Sequence, residues 1–560
     1  MNNDRHETAQ QWLYPLLIIC AVAAVFLPPA LGSSFLMNWD DNKYVVQNAA
    51  AHGFSLDNLR AAFSSFYVGN YAPVHIVSYM LDYTLWGLNP LGYRGVNIAL
   101  HAANALLFYR LLCSLGERRE TALLAALLFA LHPVQVESVA WISQRKNVLA
   151  MFFSLISFSA YIQSRHADKP GAAYGISLTT FALALLTKSI AVILPPAYIL
   201  YDLLVRHERN WRGSAVRTLP YLALAAGCGA LALVSQQEAR TDWHGGTPGA
   251  TLFSMLPVAA TYLRMIVWPR DLSPLYDPVI RHSLTDPAVL ASLMLLVVSG
   301  AGIVWLVRRH PAQGFWACFA VLGILPVSQI VPLTTMMNDR YLYVPMLGVA
   351  ALFASWTDNV GRHRPVLRRV LAGCWLAALC LLAVLSTRQG RIWHDAESLW
   401  ASAVQAVPGS RFARQGLAEV LEKKGELPAA ALHYQAALER DPASPELNAQ
   451  AGVVYARLGD FARAVPLLHN AVRLRPDNIT YGMNLASALL QSGAYHEAIA
   501  QLLQLDRSGP TPRTACMLGA LYEKTGDARA AAAHYNRAAI LDAGQAQAEC
   551  SGIRSVLRLP

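Results

Sequence analysis

Long apolar stretches alternate with short polar ones along the first two thirds of the chain, and this alternation ends near residue 388. Windows of about 19 residues give eleven apolar spans, several of them shorter than the ~20 residues that a perpendicular membrane helix needs. The spans are 13–32, 95–115, 120–133, 148–163, 171–187, 189–204, 215–234, 288–307, 314–331, 341–356 and 368–387. Two amphipathic or moderately apolar stretches, 71–88 and 252–268, predict helices that lie along the membrane interface. The pattern predicts a polytopic helical membrane domain.

From Trp393 onward the pattern changes to paired short helices with a regular repeat. Gly425, Gly459, Gly493 and Gly526 follow one another at steps of 34, 34 and 33 residues. Prolines recur at the same step, at Pro442, Pro476 and Pro510. Glycine at the helix turn and proline at the repeat end are typical of tetratricopeptide repeats (TPRs). About four repeats would stack into an α-solenoid with a concave groove, and a plain helical spacer without a ligand is the alternative.

Composition and charge agree with a membrane chain. Hydrophobic residues make up 55% of the 560 residues and charged residues 14%, which is too apolar for a soluble multidomain protein. The net charge of +10 comes from short basic clusters between spans, which favour membrane topology over nucleic-acid binding. With a cytoplasmic N-terminus, the inward segments hold fifteen Lys and Arg in 56 residues and the outward segments eleven in 142. An odd number of spans then places the TPR segment on the outer face.

The sequence therefore predicts an all-α protein with a defined order of parts. A membrane domain occupies 1–390, a connecting helix 391–410, a TPR domain 411–545 and a tail 546–560. The eight cysteines show no metal-binding spacing. Cys516 and Cys550 would pair only if this part of the chain lies in an oxidising compartment.

Acidic and basic side chains stand in three predicted outer loops. Asp40 and Asp41 form the acidic pair of the first loop, where Asp-Asp-Asn is also a good turn sequence. A carboxylate in such a loop is a candidate general base. The second loop carries His132, Glu137, Arg145 and Lys146. Its cations are candidate phosphate contacts, or interfacial anchors.

Two more cations lie at predicted span ends. Arg340, followed by Tyr341, enters a span from the outer face and is a candidate phosphate clamp, or the partner of Asp339 in a salt bridge. Lys188 stands between two short apolar spans and has the same two readings, phosphate contact or anchor. Asn97, His101 and Asn104 share one face of the second span, which favours hydrogen bonds between helices.

The order of these motifs resembles a known family. The acid pair is followed by Asn70-Tyr71-Ala-Pro73-Val-His75, by His132-Pro-Val-Gln-Val-Glu137-Ser-Val, and by Asp339-Arg340-Tyr341-Leu-Tyr343, ahead of the TPR tail. This combination resembles the transmembrane and TPR-repeat-containing O-mannosyltransferase-like proteins of the GT-C glycosyltransferase superfamily and their bacterial relatives. The resemblance covers nearly the whole chain.

The resemblance implies an inverting transfer of a sugar from a polyprenyl-phosphate donor to a Ser or Thr hydroxyl of a protein, on the extracytoplasmic face. It implies that Asp40 or Asp41 is the first-loop acid that acts as general base or orients the acceptor, and that Arg145 and Arg340 lie near the carrier phosphate. With the loop residues above, the predicted catalytic residues are Asp40, Asp41 and Glu137. The predicted substrate-binding residues are His75, His132, Arg145, Lys146, Lys188, Arg340 and Tyr341. The implied partners are the lipid-linked donor, a polypeptide in the TPR groove and membrane lipid, with no nucleic acid. The implied location is a bacterial inner membrane, with the TPR domain in the periplasm.

Two positions depart from the family pattern. Gln144 and Asn147 stand where an acidic residue is expected in many relatives, so no metal ligand is assigned, and a divalent cation as cofactor stays open. Two alternatives to protein glycosylation also stay open. One is a non-catalytic membrane scaffold whose TPR array recruits envelope proteins, and the other is a GT-C enzyme that modifies a lipid or polysaccharide.

Overall fold

The computed structural model of the protein describes residues 2–208, 210–235, 241–362 and 364–556. Helices dominate, and no β-strand occurs among these residues. The chain divides into two compact units, residues 1–406 and 407–560. The predicted all-α fold class is confirmed.

The first unit is built from helices of very different length. Its α-helices are Asn2–Ala30, Leu56–Ser64, Pro73–Trp86, Pro90–Ser114, Arg119–Leu131, Val136–Ala140, Arg145–Ser164, Gly171–Thr187, Leu194–Leu200, Trp211–Ser235, Pro248–Val267, Pro287–Arg309, Pro311–Ile324, Pro345–Gly361, Pro365–Ile392 and Ala396–Ala406. Proline stands at the start of many of them, where its missing N–H costs no hydrogen bond.

Seven helices of the described chain are long and apolar enough to cross a membrane. The count rises to eight if Arg119–Leu131 and Pro133–Ala140, which meet at a bend of 56°, form one broken span. The predicted count of eleven spans is therefore not confirmed. Helix Pro248–Val267 is long and apolar enough to cross, although the sequence pattern indicated an interfacial helix there.

Polar side chains of helix Pro90–Ser114 fasten it to its neighbours. Asn97 donates to the carbonyl oxygens of Val139 and Trp141, at 3.3 and 3.2 Å. The His101 ring lies within hydrogen-bond distance of the Ala130 carbonyl, 3.0 Å away, and Asn104 donates to the Val148 carbonyl at 2.8 Å. The prediction of hydrogen bonds between helices is thus confirmed. These bonds fix the loop 132–147 against the second span.

The second unit is a row of antiparallel helix pairs. The pairs are Arg411–Lys424 with Leu427–Leu438, Pro445–Arg457 with Phe461–Leu474, Ile479–Gln491 with Tyr495–Ser508, and Pro512–Lys524 with Ala528–Leu541, followed by Ala543–Val556. The four repeating glycines all have a positive φ, between 78° and 88°. Glycine adopts this left-handed conformation without steric cost, which explains its recurrence at each turn within a pair. Fully buried alanines, including Ala430, Ala464 and Ala498, let paired helices approach closely.

A disulfide joins the last repeat to the final helix. Cys516 lies in helix Pro512–Lys524 and Cys550 in helix Ala543–Val556, 34 residues apart, with their Cα atoms 4.9 Å from each other. The bond closes the end of the solenoid. The other six cysteines are free.

Candidate active site

A cavity of about 460 Å³ in the first unit collects side chains from six separate parts of the chain. Its lining comes from residues 39–40, Asn70, the segment 141–146 that leads into helix Arg145–Ser164, the turn 188–190, the segment 274–275 and the segment 326–341. Five of the predicted site residues line it: Asp40, Lys146, Lys188, Arg340 and Tyr341. The cavity therefore brings one carboxylate and three cations together.

The two adjacent aspartates of the first loop have opposite environments. Asp41 is fully buried and accepts hydrogen bonds from the backbone amides of Leu36 and Ser143, at 3.1 and 3.0 Å, and from the Ser143 hydroxyl. Burial raises the pKa of Asp41. Asp40 is half-buried and lines the cavity, and its carboxylate has no hydrogen-bond or salt-bridge partner among the described residues. Asp41 anchors the loop, and Asp40 is the carboxylate that can meet a ligand.

Glu137 and Arg340 form an ion pair beside the cavity. Glu137 is 1% exposed and accepts hydrogen bonds from the Arg340 guanidinium and, at 2.7 Å, from the Arg340 backbone amide. The guanidinium also lies over the rings of Trp141 and Tyr341, 5.4 and 5.5 Å from their centroids. These contacts fix its orientation. Arg340 pairs with Glu137 and not with Asp339, the partner that sequence proximity indicated.

The two cavity lysines have uncharged hydrogen-bond partners. Lys146 donates to the Tyr44 hydroxyl at 3.3 Å and lies over the Tyr44 ring. Lys188 donates to the side-chain oxygen of Asn147. Burial, followed by the charges of Lys146 and Arg340, lowers the pKa of Lys188 well below its usual value. An anion in the cavity would relieve this repulsion.

Three predicted binding residues lie elsewhere. Arg145 is fully buried and donates to Asp82 at 2.6 Å, to the Tyr93 carbonyl at 2.7 Å and to Asn97, so its guanidinium serves the fold. His132 is 3.0 Å from the Ile266 carbonyl and lines a separate apolar groove.

His75 is fully buried between the rings of Tyr44 and Tyr79. Burial lowers the pKa of His75 well below its usual value, so the ring is neutral. Its ring nitrogens have no hydrogen-bond partner among the described residues. None of these three side chains is in the described lining of the cavity.

Several lining and supporting residues escaped the sequence-based prediction. Asp339 is buried and accepts a hydrogen bond from the Tyr276 hydroxyl, and burial followed by the charge of Glu137 raises its pKa. Trp39, Asn70 and Gln144 line the cavity beside the predicted residues. Trp39 is next to the acidic pair, and Asn70, Gln144 and Asp339 stand in or beside the motifs found in the sequence, which were the available signals.

The donor set of the cavity does not suit a divalent cation. Asp40 is the one carboxylate in the described lining, against three basic side chains. No group of three or more His, Cys, Asp and Glu side chains that could hold a metal occurs in the described parts of the chain. Hard divalent cations take several oxygen ligands. No step is therefore assigned to a metal.

Two family models match parts of the chain. The model of dolichyl-phosphate-mannose-protein mannosyltransferases matches residues 72–236, and a tetratricopeptide-repeat model matches residues 381–445 and 450–511. The first match includes the loop with Glu137 and Lys146 and the turn at Lys188. The second confirms that the chain carries tetratricopeptide repeats, and the bounds 411–545 stay a prediction.

Similar proteins occur in animals. The chain is 25% identical to the protein O-mannosyl-transferase TMTC1 of Homo sapiens over 67% of its own length and 48% of that relative. It is 26% identical to the protein O-mannosyl-transferase F38B6.6 of Caenorhabditis elegans, over 79% and 64% of the two chains. It is 23% identical to the protein O-mannosyl-transferase TMTC3 of Mus musculus, over 77% of its own length and 52% of that relative. The chain thus spans about half to two thirds of the length of these relatives.

Solved structures match only part of the chain. The TPR protein YrrB, described as having an unusual peptide-binding site, is 19% identical, with a TM-score of 0.25 over 26% of this chain and 75% of its own. A MamA structure is 17% identical, with a TM-score of 0.27 over 29% and 94% of the two chains. Through the two matched domains and these relatives, the chain is similar to the TMTC-type protein O-mannosyl-transferases.

Proposed function

We propose that this protein is a glycosyltransferase that moves one sugar from a polyprenyl-phosphate carrier to a Ser or Thr hydroxyl of a protein, with inversion at the sugar carbon. The observation that carries the proposal is the meeting of Asp40 with Lys146, Lys188 and Arg340 in one cavity. Its volume of about 460 Å³ is within the range of small-molecule sites. Mannose is the first sugar to test, because the relatives are named for its transfer.

The charges of the cavity suit the two ends of this reaction. The acceptor oxygen forms a bond to the anomeric carbon while the bond from that carbon to the phosphate oxygen breaks. Asp40 takes the proton of the acceptor hydroxyl as general base. The three cations stabilise the negative charge that stays on the departing carrier phosphate. Attack on the face opposite the phosphate inverts the configuration.

Rigid support on the cation side favours phosphate binding. The Arg340 guanidinium is held by Glu137 and two aromatic rings, so it needs little reorganisation when charge develops. Apolar side chains that include Ala150, Ile190 and Leu194 lie next to Arg340, around a pocket of about 20 Å³ that would have to open to admit a prenyl chain. The carrier would then place its phosphate at the cations and its hydrocarbon among apolar side chains.

The repeat unit would bind the polypeptide acceptor. TPR solenoids offer an extended concave surface that suits an unfolded peptide. In this proposal residues 1–390 form the catalytic membrane domain, 391–410 connect it, and 411–545 present the acceptor.

The proposed location is a bacterial inner membrane, with a cytoplasmic N-terminus and a periplasmic TPR unit. The Cys516–Cys550 disulfide supports this placement, because such bonds persist in oxidising compartments. On the eleven-span topology predicted from the sequence, the basic inward loops favour the same orientation. Both catalysis and acceptor binding would then take place outside the cytoplasm.

The test uses purified protein in lipid nanodiscs with polyprenyl-phosphate sugars and a Ser/Thr-rich polypeptide. We expect wild-type protein to transfer sugar to the polypeptide and Asp40→Asn to transfer none. If the wild-type protein transfers none of several sugars, or if Asp40→Asn transfers as well as the wild type, the catalytic proposal fails and a scaffold role gains support. If sugar is transferred to lipid or polysaccharide instead of protein, the proposed reaction chemistry stands and the proposed acceptor is wrong.

The role of the repeats is tested in the complete protein. A specific protease site inserted between Ala406 and Val407 allows the two units to be separated after folding. We expect cleavage to raise the KM for a polypeptide acceptor and to leave the KM for a short Ser peptide unchanged. An unchanged KM for both acceptors would contradict acceptor presentation by the TPR unit.

A further inference from the structure

Four tryptophans from three distant segments pack together beside the cavity. The Trp39 ring is 4.7 Å from that of Trp400 and 5.6 Å from that of Trp141, between centroids. Trp141 in turn stacks on Trp393 at 5.4 Å, with the two ring planes 20° apart. Trp141, Trp393 and Trp400 are each at most 6% exposed. Three rings of the Trp cluster (Trp39, Trp141, Trp393 and Trp400) are therefore part of the core, and the ring of Trp39 is partly buried at the cavity.

The cluster touches both charged partners of the proposed reaction. Trp39 precedes Asp40 in the chain, and both line the cavity. Trp141 lies under the Arg340 guanidinium, 5.4 Å from it. Two of the rings thus support the base and the phosphate contact, and the other two come from beyond the last long membrane helix, Pro365–Ile392.

The segment that carries Trp393 and Trp400 is also hydrogen-bonded to the first loop. The Ser34 amide donates to the His394 carbonyl at 3.0 Å. Arg94, 1% exposed, donates to the carbonyl oxygens of Ser34 and His394, at 3.1 and 3.4 Å. Asp395 accepts hydrogen bonds from the backbone amide and hydroxyl of Ser398, at the start of helix Ala396–Ala406. Residues 393–400 therefore form a fixed support for the first loop.

Asp40 depends on such support. Its own carboxylate has no hydrogen bond or salt bridge to the described residues, so its position follows from its neighbours in the chain. On one side Asp41 is anchored to Ser143 by two hydrogen bonds. On the other side Trp39 is held between Trp141 and Trp400. Loss of Trp400 would free one of these two anchors.

We propose that Trp400 is a positioning residue for the proposed transfer reaction: it holds Trp39 and, through it, the Asp40 carboxylate. The inference rests on the proposed function for its catalytic meaning. The structural claim, that Trp400 keeps residues 38–40 ordered, does not depend on the reaction. The helix that leads into the TPR unit is thus a component of the membrane site.

The first arm of the test measures amide hydrogen exchange of residues 34–44 in the full-length protein. We expect Trp400→Ala to speed exchange at residues 38–40 by about tenfold or more, because a lost packing partner promotes local opening. Trp400→Phe, which keeps a ring, is expected to restore most of the protection. Trp316→Ala is the matched control, since Trp316 is equally buried, at 4% exposure, among Phe108, Phe315 and Phe319. Equal exchange in Trp400→Ala and the wild type overturns the proposal.

The second arm measures sugar transfer. Trp400→Ala is expected to lower kcat on the order of tenfold or more, as small misplacements of a reacting group do, with the KM for the donor changed less than about threefold. Trp400→Phe is expected to recover kcat. Faster exchange with an unchanged kcat overturns the positioning role. A wild-type protein without transfer activity defeats the proposed function, whereas the exchange arm still decides whether Trp400 fixes the loop.

Discussion

Glu137 and Arg340, 203 residues apart in sequence, form a buried ion pair in which the backbone amide of Arg340 also donates to the carboxylate. The pair holds a cation at the cavity wall and joins helix Val136–Ala140 to the turn that precedes helix Pro345–Gly361. Glu137 is therefore better placed to orient Arg340 than to exchange a proton with a substrate.

This pair predicts a non-additive mutant cycle. Glu137→Gln leaves the Arg340 charge without its partner and is expected to lower the free energy of unfolding by about 3 kcal/mol. Arg340→Gln leaves the Glu137 charge alone and is expected to lower it by a similar amount. The double variant should lose less than the sum, because no lone charge remains. Thermal unfolding in detergent gives the four values. Strictly additive losses would show that the two side chains do not interact.

The two aspartates of the first loop predict opposite mutant behaviour. Asp40→Asn removes an unpartnered carboxylate and should abolish sugar transfer with an unchanged unfolding temperature. Asp41→Asn replaces one acceptor oxygen by an NH₂ group, which then faces another hydrogen-bond donor. The substitution should lower the free energy of unfolding by about 2 kcal/mol. Transfer assays and thermal unfolding of both variants separate the effects. A reversed pattern would make Asp41 the catalytic residue.

Lys188 predicts a pH-dependent affinity for the donor. Its pKa is lowered by burial and by Lys146 and Arg340, so its charge is lost below the pH at which lysine usually deprotonates. An anionic phosphate favours the charged form and takes up a proton on binding near that pKa. The dissociation constant of the donor should therefore rise as the pH rises through the lowered pKa.

Lys188→Arg supplies the control for this dependence. Arginine keeps its charge at every accessible pH. The variant should bind the donor with a flat pH profile where the wild type weakens. Calorimetric titration with a polyprenyl-phosphate sugar measures both. The same slope in the two proteins would assign the titration to another group.

The disulfide predicts a stability difference in the second unit. Closing a loop of 34 residues is worth about 4 kcal/mol in the chain-entropy view. Cys516→Ser should therefore lower the unfolding temperature of the repeats, whereas Cys318→Ser, at a free cysteine of the first unit, should leave the repeats unchanged. Differential scanning calorimetry gives the comparison. Maleimide labelling of both Cys516 and Cys550 in unreduced, denatured protein would show that the bond is absent.

The repeats were predictable because their determinants are local. Each turn glycine, repeat-ending proline and contact alanine recurs within one period, so the sequence pattern alone indicates the helix pairs. The membrane unit was less accessible. Hydropathy windows detect long apolar stretches of sequence. They show neither the 56° bend after Leu131 nor where the short helices near Lys188 begin and end.

The site depends on contacts that sequence spacing does not record. Which aspartate of an adjacent pair faces the cavity is decided by Ser143, 102 residues away. Arg145 and Lys146 are adjacent in sequence, yet Arg145 is buried in the protein core with Asp82, whereas Lys146 lines the cavity. The sequence identifies the charged residues of the loops that form the site. It does not show which of them are already engaged by other side chains of the protein.

The position of Trp400 has a consequence for biosynthesis. It follows Trp39 by 361 positions, so the first loop leaves the ribosome long before the residue that braces it has been translated. A nascent chain still being inserted would carry the acidic pair without its support. Under the proposed function, transfer activity would therefore appear only after the last long apolar helix and the helix that follows it have been translated.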